Sequence, residues 1–556
     1  MGLIQQFSPT EKVLFGILTI VFVFSGISLF WKLNTYFMVE VPTYGGEIKE
    51  GVIGIARFIN PVLAQTDVDR DLTSLVYAGL MRNVNGELVP DIAEKYTLSD
   101  DGLVYTFDIK ENAKFHDGVN VSADDVAYTI EKAQDAIIKS PKRAVWNDVT
   151  VEVVNSHQIK LMLKSPFAPF IYNTTLGILP KHLWKNVDAD SFVFSTLNSE
   201  PIGAGPYKID SIDHDGQGLP LSYELSSYRR YTLGKPFIPN ITFVFFPNEK
   251  DMIEGYYSGT VTSIHSINAT DAERIALTNR SQVLHTSLPR TFAVFFNQNQ
   301  SPVLAHKEVR QALDIAIDRG AIISDVLRGY GVKNDGPLPF PQATANATNT
   351  IDLARDILVK AGWTLNDRGI FEKKTKTTTT PLEVALTTTN ATELKRTAEL
   401  IKQNWEKVGA TVSLKVYENG DLQQNIIRPR KYEALLFGMI VGRDLDLYAY
   451  WHSSQRNDPG LNIALYANSK VDKLLEEVRT LKNSKEAENK ANQAEDLITD
   501  DVPAAFLYSP DLIYITPKKT NVGSLEHITT PSDRFGNVRN WYTNVDHVWK
   551  IFVNNK

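Results

Sequence analysis

Residues 93–133 read AEKYTLSDDGLVYTFDIKENAKFHDGVNVSADDVAYTIEKA, and two periodicities meet inside that stretch. Leu103, Tyr105, Phe107 and Ile109 alternate with Val104, Thr106, Asp108 and Lys110, the pattern of a strand with one mostly polar face. Val126, Ile130, Ala133 and Ile137 then recur at helical spacing. Ser122 followed three residues later by Asp125 is a helix-start signal. A strand leading into an amphipathic helix predicts a mixed α/β chain.

The same two patterns recur outward from this stretch. Ile159, Leu161 and Leu163, and later Val412, Leu414 and Val416, predict further strands. Val309, Ala312, Leu313, Ala316 and Ile317 form one helical stripe; Leu394, Ala398, Ile401, Trp405 and Val408 form another, ended by Gly409. These stripes are expected to be core. Thr375–Thr380, reading TKTTTT before Pro381, predicts an exposed turn between two strands. No repeat of about 20–50 residues is visible.

With 556 residues, the chain exceeds one ordinary core and predicts several lobes. Apolar residues at 43% and charged residues at 22% place most of it among folded domains. A net charge of −7 offers no broad basic surface, so nucleic acid is not an expected partner. The absence of cysteine excludes disulfides, thiolate metal sites, cysteine nucleophiles and a lipidated cysteine.

Val13–Trp31, VLFGILTIVFVFSGISLFW, carries no charge. Roughly 19 residues at about 1.5 Å each nearly span a hydrocarbon core of about 30 Å. It exceeds a secretory apolar region, and no small-residue cleavage pattern follows, so it predicts an uncleaved signal-anchor. Lys12 and the terminal amine before the span, against Lys32 after it, favour a cytoplasmic N-terminus and an extracytoplasmic main domain. A short linker is expected from Asn34 to Tyr44.

No H-E-x-x-H, G-x-S-x-G or Walker-type loop is present. The histidines lack metal-ligand spacing; His182, His265, His285 and His452 read as surface or packed side chains. Gly203-Ala204-Gly205 is followed by Pro206 where a dinucleotide-binding helix would have to begin. Nothing beside the Asp124/Asp125 or Asp444/Asp446 pairs raises a pKa or supplies an electrophile, so neither enzyme chemistry, a metal nor a cofactor is expected.

Several segments resemble, in order, the family-5 solute-binding proteins of ABC transporters, which include oligopeptide, dipeptide and nickel binders. They are Tyr44–Ile48 and Phe58–Pro61; the Ala93–Ala133 stretch, with its F-x-D-G turn; and Gly203–Ile209. Phe295–Asn297 with Val309–Leu313 and Ile317–Arg319, and Asp352–Trp363 ending in A-G-W, complete the match. The resemblance implies a two-lobed α/β fold of the periplasmic-binding-protein type (class II, large form) with an inserted domain. By analogy residues 45–72, 196–290 and 505–556 build the first lobe, 73–195 the insertion and 291–504 the second lobe, after an anchor and linker over 1–44. Lobes that swing about a hinge bury a ligand and present a changed surface to a transporter.

The resemblance also implies site residues. Peptide-binding members carry G-W-x-x-D in the second lobe, its aspartate receiving the peptide's ammonium group. Here Met439 replaces the tryptophan, and Val441 or Gly442 stands where that aspartate is expected, leaving Asp444 and Asp446 as candidates. Asn60 lies in the first loop, Ser263 and His265 on a helix-to-strand step, and Asn297 in the segment entering the second lobe. Tyr448 and Trp451 are candidate apolar walls, and Tyr508 sits where the chain re-enters the first lobe. Arg310 is expected in a structural ion pair. The implied partners are a peptide or peptide-like solute, ABC permease subunits with their ATPase, and the membrane; the implied state is a monomer. A non-peptide solute (oligosaccharide, opine or chelated metal) and an anchored envelope scaffold or sensor are the alternatives.

Overall fold

The computed structural model describes residues 8–278, 280–339, 350–442, 446–481 and 484–553. A large sheet runs through the molecule, with strands in the order Thr411–Tyr417, Glu383–Thr389, Ala434–Ile440, Arg290–Phe296, Ala504–Pro517, Ser263–His265, Glu47–Ile53, Asn240–Phe246, Pro220–Ser227 and Tyr207–His214. Strand Ala504–Pro517 belongs to both lobes. Its first part pairs with Arg290–Phe296 (Phe292 opposite Tyr508), and its second part pairs with Ser281–Ser287 (Ser287 opposite Asp511). The chain therefore crosses between lobes twice, at Leu288–Pro289 and at Ser509–Pro510. The Leu288 N–H donates to the Pro510 carbonyl at 3.0 Å, tying the two crossings together.

Alternation along the crossing strands explains why both of their faces are apolar. Val294, Phe296 and Tyr508 pack into one second-lobe cluster with Leu386 and Trp405. Ala293, Phe295 and Phe506 pack into another with Met439 and Trp451. A strand buried on both sides reads as a continuous apolar run.

The insertion contains an antiparallel sheet in the order Ala93–Leu98, Val104–Ile109, Gln158–Leu163, Val149–Asn155. Its alternating residues Tyr105, Phe107, Ile159 and Leu161 share one continuous core with Ile48, Leu72 and Phe243 of the first lobe. Ser122 caps the next helix, Ala123–Gln134, through its N–H and hydroxyl, which donate to the Asp125 carboxylate at 2.9 and 2.7 Å. The helix ends before Ile137, which is exposed, so the expected stripe is one position too long. Helix Thr392–Val408 buries the whole expected stripe and stops at Gly409, whose φ of 115° is the left-handed conformation that favours glycine. The threonine tract forms the turn between strands Phe371–Lys374 and Thr379–Pro381.

Two expectations change. Asn34–Tyr44 is not a loose linker: helix Pro9–Phe37 passes directly into strand Met38–Thr43, which pairs antiparallel with Asn544–Trp549. Arg310 makes no carboxylate pair among the described residues; its guanidinium donates to the carbonyls of Val502, Leu304, Ala305 and Asp501. Carbonyl oxygens satisfy the buried charge because its helix abuts the chain's turn at Asp501–Val502.

The glycines of G-A-G-P-Y serve close packing. A Cβ at Gly203 would lie 2.0 Å from the Val76 carbonyl oxygen, and one at Gly205 would lie 2.4 Å from that of Leu75. The F-x-D-G turn locks onto the same place. His116 Nδ1 accepts from the Gly203 N–H at 3.3 Å, while Nε2 donates to the Gly205 carbonyl at 3.1 Å. The bond accepted at Nδ1 requires the neutral ring, and burial pushes the imidazole down to about 4. Unfolded histidine titrates near about 6.5, so the ring's contribution to stability is complete above that pH and is lost as pH falls toward 4. Equilibrium unfolding of the wild type should therefore weaken across this window more steeply than that of His116→Gln; parallel pH profiles would remove His116 as the cause.

Candidate ligand-binding site

The second lobe's strands Arg290–Phe296 and Ala434–Ile440 end where the lobes meet. Arg290 stands opposite Ile440 and Thr291 opposite Met439, so the first pair shares one face and the second pair the other. Ile440 is 47% exposed and Met439 only 2%. Arg290 is half-buried, and its Nε is fully buried without a hydrogen-bond partner among the described residues. Burial pulls its guanidinium below the ordinary value; Asp67 opposes this and Arg70 adds to it. Both neighbours belong to the first turn of helix Asp67–Val76 in the first lobe, so Arg290 faces across the lobe junction. It stays charged, as arginine does.

On one flank Asp446 accepts from Arg479 Nε at 3.0 Å and from the Tyr448 N–H at 3.1 Å. The Arg479 guanidinium lies 4.1 Å from the Tyr448 ring centre and 5.2 Å from that of Phe167 in the insertion. The Ala168 N–H donates to the Arg479 carbonyl at 3.4 Å. On the other flank Glu393 accepts from the Ala269 backbone N–H; burial raises its carboxyl pKa, and Glu249 adds to that rise. These contacts join the lobes at either side of the Arg290–Ile440 floor.

The remaining expected site residues fall into separate groups. Ser263 and His265 come together around Arg534, which is fully buried. Arg534 pairs with Asp71 at 2.7 Å and with Glu50 at 2.8 Å. His265 Nε2 lies 3.3 Å from Asp71, Tyr514 donates to Glu50 at 3.0 Å, and Ser263 donates to Thr516 at 3.1 Å. Burial works to raise the Asp71 carboxyl, but Arg534 and His265 together hold it well below the usual range. Asn60 is buried, donating to Asn198 at 2.9 Å and accepting from the Val62 N–H at 2.9 Å. Asn297 is buried and donates to the Arg430 carbonyl at 3.0 Å. Met439 and Trp451 share a core cluster, while Tyr508 stacks on Phe292 at 5.1 Å on the opposite face of the sheet. Tyr448 stacks on His452 at 4.1 Å. Asp444 lies outside the described residues. Among those described, no group of histidine and carboxylate side chains is arranged to hold a metal.

Sequence reading missed Arg290, Arg479 and Phe167. Arg290 had a signal, a charge heading the apolar run Thr291–Phe296. Arg479, on helix Ser469–Thr480, looks like any surface arginine.

Residues 87–460 match the bacterial extracellular solute-binding proteins, family 5 Middle. The chain belongs to that family. This family-5 protein is 27% identical over 490 residues to the oligopeptide-binding protein AppA of Bacillus subtilis, covering 84% of this chain and 87% of the relative. The solved structure of AppA in complex with a nonapeptide superposes with a TM-score of 0.70 at 25% identity, covering 90% of this chain and 99% of AppA. NikZ from Campylobacter jejuni in complex with Ni(L-His) gives a TM-score of 0.72 at 25% identity, covering 89% and 99%. The fold is thus the two-lobed α/β architecture, and the role is solute binding; the relatives are binding proteins rather than enzymes.

Replacing Arg479 with alanine removes the stacked guanidinium between Tyr448 and Phe167. A cation–π contact is worth about 0.5–1 kcal/mol when exposed, enough to tilt an open–closed balance. Small-angle scattering of ligand-free Arg479→Ala should show a larger mean radius of gyration than wild type; an unchanged radius would mean that this flank does not hold the lobes.

Proposed function

We propose that the protein captures a peptide or peptide-like solute between its lobes, outside the cytoplasmic membrane, and delivers it to an ABC importer while remaining anchored as a monomer. In this reading the expected boundaries at 290/291 and 504/505 move to the two crossings: 45–72, 196–288 and 510–556 form the first lobe, 289–509 the second, and 73–195 the insertion. The observation that carries this reading is Arg290. A buried N–H donor with no acceptor among the described residues, on an arginine at the lobe junction, is satisfied when an acceptor enters. Ligand carbonyl or carboxylate oxygens are such acceptors, and guanidinium is suited to both. Across 438–442 and 446 the described residues offer one carboxylate, Asp446, and it already serves Arg479. That favours grip on the ligand's acidic or carbonyl groups over grip on its ammonium. The AppA complex with a nonapeptide supports the peptide class.

Anchoring is supported by the junction below the domain. Helix Pro9–Phe37 is long and apolar enough to cross a membrane and buries none of its residues against the protein. Its last turns are nevertheless built into the fold: Trp549 Nε1 donates to Asn34 Oδ1 at 2.8 Å and stacks on Phe37 at 5.9 Å. Cleavage after Phe37 would remove both helix partners of Trp549.

Native mass spectrometry of the full-length chain from detergent should reveal a one-to-one adduct that fragments as a peptide, and an adduct without amide bonds would overturn the peptide assignment. For the identified ligand, Arg290→Ala should weaken binding at least tenfold by calorimetry. That is the scale of a lost hydrogen bond to a charged group, about 1.5–3 kcal/mol at 1.4 kcal/mol per decade. Unchanged affinity with intact folding would remove Arg290 from the site.

A further inference from the structure

Strand Asn544–Trp549 runs antiparallel to Met38–Thr43, with Trp549 opposite Met38, the first residue after the long helix. It therefore descends toward the helix as Met38–Thr43 rises from it. The turn Lys550–Phe552 follows Trp549 directly, and Trp549 touches the helix's last turns. Trp549 fixes that course by its bond to Asn34 and its stacking on Phe37. Ile551 and Phe552 are left 77% and 73% exposed. Among the described residues, nothing covers these two large apolar side chains.

Depth follows from the helix geometry. If uncharged Val13–Trp31 fills the hydrocarbon, Asn34 and Phe37 lie roughly 5–9 Å beyond Trp31 at about 1.5 Å per residue. Headgroups occupy roughly 5–8 Å on each side of the hydrocarbon. The turn after Trp549 thus sits at headgroup level, beside the exposed Trp31 and Tyr36 and the cation Lys32. Aromatic rings and lysines are the residues that favour that layer.

We propose that Trp549, Lys550, Ile551 and Phe552 form a second, interfacial membrane contact that inserts into the lipid headgroup layer beside the spanning helix. The proposal rests on the anchor reading above, and it commits to lipid as the occupant because the patch is continuous with the spanning helix and hydrogen-bonded to it. With two points of attachment and no loose linker, the binding lobes stand over the bilayer at a set height and azimuth. A transporter in the same membrane then meets an oriented partner, which reduces the orientational search that slows docking.

The natural absence of cysteine makes the test clean. Full-length Phe552→Cys, Phe22→Cys and Leu277→Cys proteins would each carry an environment-sensitive fluorophore in protein-free nanodiscs of phosphatidylcholine and phosphatidylglycerol. Lipids bearing nitroxide at the headgroup or deep in the acyl chain are the quenchers. The expected result is deep quenching at Phe22, headgroup quenching of about half or more of the emission at Phe552, and none at Leu277. Deep quenching at Phe22 with Phe552 behaving like Leu277 would overturn the second contact and leave the anchor standing. No quenching at Phe22 would overturn the anchor and the contact together. Shielding of Phe552 that appears only after adding membrane proteins would assign the patch to a protein partner and overturn the lipid contact.

Discussion

Strand Ala504–Pro517 is the constraint on which the rest depends, because one continuous ladder serves two bodies. Its first part is held by Arg290–Phe296 and its second by Ser281–Ser287. The lobes cannot separate without breaking backbone hydrogen bonds, yet they can rotate about the short stretches Leu288–Pro289 and Ser509–Pro510. Proline at both crossings removes one N–H donor from each, and strand Gly331–Lys333 pairs across the second, with Gly331 opposite Pro510 and Lys333 opposite Tyr508. A small cluster of Leu288, Leu512 and Ile528 packs beside the crossings. Such a connection favours hinge closure, which fits the proposed capture of a solute between the lobes.

The first lobe is braced at the same strand by charge. Arg534 joins Glu50 on strand Glu47–Ile53 to Asp71 on helix Asp67–Val76, and Tyr514 of the crossing strand completes the group. All three charged side chains are fully buried. Breaking such a set typically costs about 3–5 kcal/mol because the surviving charges are stranded. The cluster connects segments nearly the whole chain apart, so it fixes the lobe's assembly. His265 and Ser263 belong to this brace through Asp71 and Thr516. By contrast, the floor at Arg290 is left electrostatically unfinished.

Much of the fold was legible in the sequence. Strands with one polar face, such as Leu103–Lys110, announce themselves by period two, and the helical stripes ending at Gly409 do so by period 3.6. Register in the central strands was not legible. The run Leu435–Val441 is apolar on both faces, so nothing in it says that Ile440 rather than Met439 looks into the cleft. Tyr508 and Trp451 pack in cores on opposite faces of one sheet, a separation that aromatic character cannot reveal. The pairing of Met38–Thr43 with Asn544–Trp549 joins segments about 500 residues apart, where no local pattern reports contact. Arg290 and Arg479 acquire meaning only once the lobes are placed against each other.

In the proposed function the crossing strands are a hinge, and capture is closure about it. Spin labels at Leu221→Cys in the first lobe and Val359→Cys in the second, measured by pulsed double electron resonance, read the interlobe distance directly. A broad or longer distribution without ligand that collapses to one shorter, narrow distance with saturating ligand is the predicted result. The same distribution with and without bound ligand would contradict it.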